Sequence, residues 1–222
     1  DYASAPMSLY EQAVYMIQAT PYQVERLDWE GRKAYVKKFT ADYYTDAIDY
    51  TRLKILDAFD EAADPSGAQA HGEVHLIRRV AGFKKIRYYT HENIGFGTIT
   101  LPDQEMHTTA VWWQVDPQEL ERTIPKRQQA LDGFLGEAYV IHHVAAMRML
   151  SETRDLGRAV GDGNAKWFAT VGSHGRGQMR SRDGEVIDVE HMQLFTPTLF
   201  IYDNYPGGIG ITDPLFNKKT EI

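Results

Sequence analysis

No cysteine occurs among the 222 residues, so no disulfide staples this chain and no thiolate holds a metal within it. No apolar run approaches the length of a membrane span, and no basic segment followed by an apolar one opens the sequence. The expectations are therefore no membrane partner and a cytoplasmic setting. Positive charge is also in short supply: 24 Lys and Arg stand against 31 Asp and Glu, a formal net charge of −7. That balance excludes a surface attractive to nucleic acid everywhere, while leaving room for a local basic groove. The phosphate loop GxxxxGK[ST] is missing, and "GFGT" (95–98) and "GGIG" (207–210) lack the full dinucleotide pattern. No catalytic set is legible, and the isolated chain is expected neither to hydrolyse ATP nor to unwind DNA. It begins at Asp1 without a Met and stops at Ile222 just after two lysines, which suggests a fragment of something longer.

What is present is enough apolar residue for a sizeable core, 43% of the chain, arranged with two periods. "AVYMI" (13–17), "YQVERLDW" (22–29), "KAYVKKF" (33–39) and "TRLKIL" (51–56) are β-branched and aromatic and partly alternate, as strands do. "DWEGRK" reads as a hairpin turn with Gly31 at positive φ, and "DEAADPSGAQAHG" (60–72) as a polar break. "EVHLIRRVAGFKKIRYY" (73–89) predicts two strands or one bulged strand, and "MHTTAVWWQV" (106–115) another, with Trp112 and Trp113 divided between core and surface. After "DPQELERTIP" the period changes. Leu131, Leu135, Ala138, Ile141, Ala145 and Met149 recur at helical spacing, and Val140, Val144 and Met147 widen that stripe to more than one buried side. "WFATV" (167–171), "EVIDVEHM" (185–192) and "TLFIYD" (198–203) predict further strands. The expected fold is α+β: a β-rich, barrel-like or coiled-sheet first half over residues 1–116, then a mixed helix-and-strand domain over 117–222.

Four local features invite chemistry. In "FIYDNYPGGIG" a strand ends near Asp203, Tyr205 follows, Pro206 fixes φ, and Gly207 and Gly208 permit a tight turn before a short helix. A structural junction and direct contact with nucleic acid or another ligand both fit. Asp203 would cap the following element or neutralise an arginine. The junction reading makes Gly207→Val more damaging than Asp203→Asn. "HGEVH" sets His71 and His75 four apart, but it is not the metalloprotease HExxH, and the chain is expected to fold without stoichiometric zinc. Adjacent His142 and His143 point about 100° apart on a helix, one toward the core and one toward a groove. Finally, Arg176, Arg180 and Arg182 in "GRGQMRSR", with His174 nearby, form the densest cationic stretch, supported at a distance by lysine pairs at 37–38 and 84–85. Such a loop either follows a phosphate backbone without reading bases or is simply solvated.

Several stretches together resemble the C-terminal accessory region, DUF1998 or MrfA-type zinc-binding-like, of bacterial and archaeal superfamily-2 DEAD/DEAH-box-like DNA helicases. This is the group that includes the mitomycin repair helicase of bacilli. The segment at 10–47 is similar to the family's lead-in, and "FKKIRYYTHENIGFGTITLPDQEMHTTAVWW" (83–113) to its next block. "GEAYVIHHVAAMRMLSETRDLG" (136–157) resembles its long helix and the turn containing Asp155, and "PTLFIYDNYPGGIG" (197–210) its most specific motif. Two departures stand out. The family's cluster of four cysteines is expected downstream of the YPGG motif, and this chain ends first, so either the tail is left off or this member lacks it; Ser151 also sits where relatives often have cysteine. The 160–195 hairpin is longer than relatives need, so its arginines inherit no role.

The resemblance implies an accessory part of an ATP-dependent 3′-to-5′ DNA helicase in repair, or in a related defence or maintenance system. Its partners would be single-stranded DNA and the motor domains of the parent chain or complex. It implies no cofactor within these residues, ATP and magnesium at the motor, and zinc at most in the missing cysteine cluster. The alternative from another class is a non-motor protein-interaction scaffold in a DNA defence complex.

Overall fold

The computed structural model describes residues 5–40, 42–64, 67–172 and 175–217. The fold is α+β. Seven strands come first: β1 (Val14–Ile17), β2 (Thr20–Asp28), β3 (Lys33–Lys38), β4 (Tyr43–Asp64), β5 (Gly67–Arg87), β6 (Asn93–Thr98) and β7 (Gln104–Val115). Helices α1 (Pro117–Thr123) and α2 (Arg127–Met149) follow. The chain then forms β8 (Leu156–Gly161), β9 (Trp167–Val171), β10 (Gly177–Ser181), β11 (Val186–Ile187), β12 (Thr198–Asp203) and the short helix α3 (Thr212–Asn217). It divides into two compact units, residues 1–50 with 78–104 and residues 51–77 with 105–222. No helix among the described residues is long and apolar enough to cross a membrane.

In the first unit β1, β2 and β3 form an antiparallel sheet, and β6 pairs with the Gly82–Ile86 stretch of β5. Tyr10, Ala13, Val24 and Phe83 make its core, with the Tyr10 and Phe83 rings 5.0 Å apart. The β2–β3 turn departs from expectation. Arg32, at φ 53°, takes the left-handed conformation, and Gly31 does not. Gly31 instead sits against the Asp28 carboxylate, its N–H donating to Asp28 Oδ1 at 2.8 Å.

In the second unit the strand order is β11-β10-β9-β8-β12-β7-β5-β4. Every residue of β12 is buried, because both faces of the sheet are covered. Leu199 and Ile201 face α2 with Val111, Leu156, Val160 and Met179, while Phe200 and Tyr202 face the other way with Leu53, Val74, Ala110 and Trp112. Burying each such side chain is worth about 1.5–3 kcal/mol. This two-sided burial corrects the expectation for the tryptophans: Trp112 lies in the second cluster, and Trp113 packs against the first.

The β4 edge coils back toward the other end of the sheet. Ile55 N–H donates to the Gly163 carbonyl at 2.9 Å, Lys54 bridges Asn164, and Arg52 donates to the Arg182 carbonyl. The coil therefore uses strands from both halves of the sequence.

Three further expectations change. The polar stretch at 60–72 is largely strand: β4 runs to Asp64 and β5 begins at Gly67, with Asp60 and Glu61 exposed and Ala70, His71 and Gly72 buried. Of 185–192 only Val186–Ile187 is strand, since Asp188 caps a 3-10 turn at Val189–His191. Helix α2 buries one face, through Ala130, Leu131, Phe134, Ala138, His142, Ala145 and Ala146. Val140 and Met147 are exposed, at 57% and 67%. Helix α1, unanticipated from sequence, starts where Asp116 accepts the Gln118 and Glu119 N–H groups and Pro117 supplies the first φ.

Candidate nucleic-acid interface

The strand β12 delivers Asp203 into a turn that it then holds together. Its Oδ2 accepts N–H groups from Ile209 at 3.0 Å, Gly210 at 3.0 Å and Ile211 at 3.4 Å, and the Thr109 hydroxyl at 3.1 Å. Successive backbone amides converging on one carboxylate oxygen make an anion nest, filled here by the chain's own side chain. The amides are thus occupied from within, which favours the junction reading of the glycine turn. Thr108, the neighbour on β7, donates to the carbonyls of Asp203 (2.7 Å) and Tyr205 (3.0 Å).

Pro206 leads into Gly207 and Gly208, at φ 79° and 76°, where only glycine is unstrained. A Cβ on Gly207 would meet open space, whereas one on Gly208 would lie 2.5 Å from Thr109 Oγ1. Gly208 is thus held by both its backbone and the space around it, and Gly207 by its backbone alone, while Asp203 anchors the same turn through its carboxylate.

A second strap joins this turn to the loop after α2. The Tyr205 hydroxyl donates to Asp155 Oδ1 at 2.8 Å, and that bond raises its pKa above the ordinary phenol value. Asn204 N–H donates to the Asp155 carbonyl at 2.9 Å, and Asp155 Oδ2 accepts the Glu152 N–H at 3.0 Å.

Below it, the buried His142 has Nε2 at 2.9 Å from the Thr153 carbonyl and 3.0 Å from that of Leu156. Two acceptors there require a proton on Nε2, and Nδ1 then accepts from Arg158 at 2.9 Å. Burial is the main cause holding His142 below the ordinary imidazole pKa, so it is a neutral tie between α2 and the loop, with both ring nitrogens already engaged. His143 is exposed, stacks on Tyr139 at 4.3 Å and hydrogen-bonds the Tyr139 carbonyl through Nδ1. The Arg158 guanidinium also lies 5.0 Å over the Tyr139 ring.

The arginines do not act as one patch. Arg180 lies on β10 and is spent locally: Nε donates to Thr170, one terminal nitrogen to the Gly184 carbonyl and the other to Gln178. Arg176 and Arg182 are exposed and flank the strand, six residues apart, a separation of about 20 Å along extended chain. His174 lies outside the described residues. The lysine pairs at 37–38 and 84–85 belong to the other unit. Sequence reasoning missed Thr108 and Thr109. Their signal is weak, two hydroxyl residues just before the apolar end of β7, and their partners lie more than 90 residues away.

No protein-family profile matches the chain. Over its whole length it is 33% identical to an uncharacterized ATP-dependent helicase, YprA, of Bacillus subtilis (strain 168), covering 26% of that protein. It is also similar to the solved structure of the DUF1998 helicase MrfA bound to DNA, at 29% identity and a TM-score of 0.60, covering all of this chain and 26% of that one. The MrfA structure bound to DNA and AMPPNP aligns with all of this chain and 23% of its own, at 30% identity and a TM-score of 0.51. The chain thus spans about a quarter of the length of the helicases it matches.

Proposed function

We propose, since this chain matches the DUF1998, MrfA-type accessory region of a superfamily-2 DNA helicase, that it is the non-catalytic part of an ATP-dependent 3′-to-5′ DNA helicase. It braces the motor and guides a translocating single strand, with repair as the setting. One observation carries this most of the way: the match to MrfA bound to DNA extends over the entire chain. ATP and magnesium belong to the motor domains. Zinc held by cysteines would lie outside these residues, which contain none.

Arg176 and Arg182 are the candidate phosphate contacts, being exposed where Arg180 is not free to turn outward. Tyr139, His143 and Arg158 offer aromatic faces and a cation against which a base could stack. The YPGG turn, with Asp203, Tyr205, Pro206, Gly207 and Gly208, is the scaffold that ties the end of β12 to β7 and to the loop after α2.

The runner-up is a non-motor scaffold in a DNA defence complex. It is favoured by the exposed apolar row of Val140, Met147 and Leu150 along α2 and at its end. The test is DNA-stimulated ATP hydrolysis by the isolated chain and by the polypeptide that carries it in the cell. The proposal expects none from the former and robust turnover from the latter. Activity in the isolated chain that survives stringent purification and is lost on mutating it would overturn the proposal. A parent polypeptide without motor motifs would favour the scaffold.

A further inference from the structure

One side-chain cluster serves neither the turn nor the proposed DNA path. A ring nitrogen of His71 on β5, a carboxylate oxygen of Asp60 on β4 and one of Asp213 on α3 all lie within 4.8 Å of one another. His71 is 5% exposed and its Nδ1 is buried with no hydrogen-bond partner among the described residues, while both aspartates are open to solvent. Its ring is fixed by Phe59, edge-on at 5.7 Å, and by Phe216 at 6.2 Å.

The protonation of that ring follows from its other nitrogen. Nε2 lies 3.3 Å from the Thr212 hydroxyl, which donates onward to Thr109 at 2.9 Å, and Thr109 donates to Asp203 Oδ2 at 3.1 Å. Asp203 Oδ2 already receives three backbone N–H groups and can only accept. Each hydroxyl proton is therefore committed toward Asp203, so Thr212 accepts from His71 and the ring proton sits on Nε2. That leaves Nδ1 as a bare lone pair, buried with no donor to meet it, on a ring that has a nitrogen within 4.8 Å of both carboxylate oxygens. A lone pair converging with two carboxylates is the donor set of a divalent cation, and the Nε2–H bond to a hydroxyl is the outer-shell contact that fixes a ligating histidine.

We propose that Asp60, His71 Nδ1 and Asp213 form a cation site for a divalent ion of the Mn2+ or Zn2+ class. One imidazole with two carboxylates suits these ions better than Mg2+, which prefers oxygen alone and gives up its water reluctantly. The two exposed aspartates leave the remaining positions to water, so the ion exchanges on dialysis and the chain folds without it. Its structural effect is to pin α3 to the β4–β5 hairpin.

The test is a Mn2+ titration of the EDTA-treated, dialysed chain, read by loss of the free-ion electron paramagnetic resonance signal, with Zn2+ as competitor. Variants are Asp60→Asn and Asp213→Asn, with Glu61→Gln as a control for an exposed acidic neighbour on β4. The wild type should bind about one Mn2+, displaced by Zn2+. Each aspartate variant should bind at least about tenfold more weakly, the loss that even an outer-shell change produces. Glu61→Gln should behave as wild type. Melting curves of the metal-free variants identify any that fail to fold, and the other aspartate variant then decides. Non-saturable binding, or equal affinity in wild type and both aspartate variants, overturns the site. An equal loss in Glu61→Gln does so too, because it would mean diffuse attraction to acidic surface.

Discussion

At the scale of single residues, Asp203 does most to define the motif. It is fully buried, and one of its oxygens gathers three backbone N–H groups and a hydroxyl. Asp203→Asn keeps the shape but weakens or turns away these contacts, each charge-assisted bond being worth about 1.5–3 kcal/mol. Gly207→Ala meets open space and bears only the left-handed backbone cost of about 1–2 kcal/mol. Melting curves should therefore show a larger loss for Asp203→Asn, and the reverse order would contradict the nest. His142 provides a pH test. Its native pKa lies below the ordinary 6.5, mainly through burial, so the unfolded chain binds the proton more readily. Stability should hold above about pH 6.5 and decline as pH falls from there toward the lowered native value, levelling off beneath it. His142→Gln should flatten that limb of the stability–pH curve, and an unchanged slope would remove His142 as its cause.

At the scale of elements, legibility followed burial. "TLFIYD" and "WFATV" coincide with β12 and β9, because a short apolar run between turn signals suits a strand covered on both faces. The polar stretch at 60–72 misled because exposed Asp60 and Glu61 run into consecutive buried residues at Ala70, His71 and Gly72, with no alternation to read. Gly72 instead marks close strand approach, since a Cβ there would meet the Asp57 carbonyl at 2.0 Å. In α2 the helical period was plain, but sequence could not say which apolar residues are covered within these 222 positions. Met147 and Leu150 are not, at 67% and 94% exposure. Under the helicase reading that row, rather than marking a separate scaffold, is the face that contacts the motor. Met147→Ser with Leu150→Ser should leave the chain's melting temperature nearly unchanged and depress DNA-stimulated turnover of the parent several-fold. Unaltered turnover would release the row from that role. Arg180 shows the same limit: charge density marked it as available, whereas its three donor contacts hold the β9–β10–β11 hairpin. Arg180→Ala should cost about 1–2 kcal/mol, while Arg176→Ala and Arg182→Ala should cost little.

For the molecule as a whole, the candidate site was legible only in part. The ordered set of stretches ending in YPGG pointed to the accessory region of a helicase, and the turn's glycines and aspartate pointed to a junction. The partners Thr108, Thr109 and Asp155 depend on strand and loop pairings spanning 50 to nearly 100 residues, which no local pattern encodes. The acidic total makes the central claim, guidance of single-stranded DNA, demanding: the contacts must come from a few exposed cations set against a net charge of −7. The most direct measurement is a titration of labelled single strands into the intact parent protein at several salt concentrations, comparing wild type with the Arg176→Ala, Arg182→Ala double variant. Each lost phosphate contact should reduce the slope of log affinity against log salt by about 0.7. The account predicts weaker binding, a slope shallower by about 1.4, indifference to base order and an unchanged melting temperature. Superimposable isotherms for the two proteins at every salt concentration would contradict it.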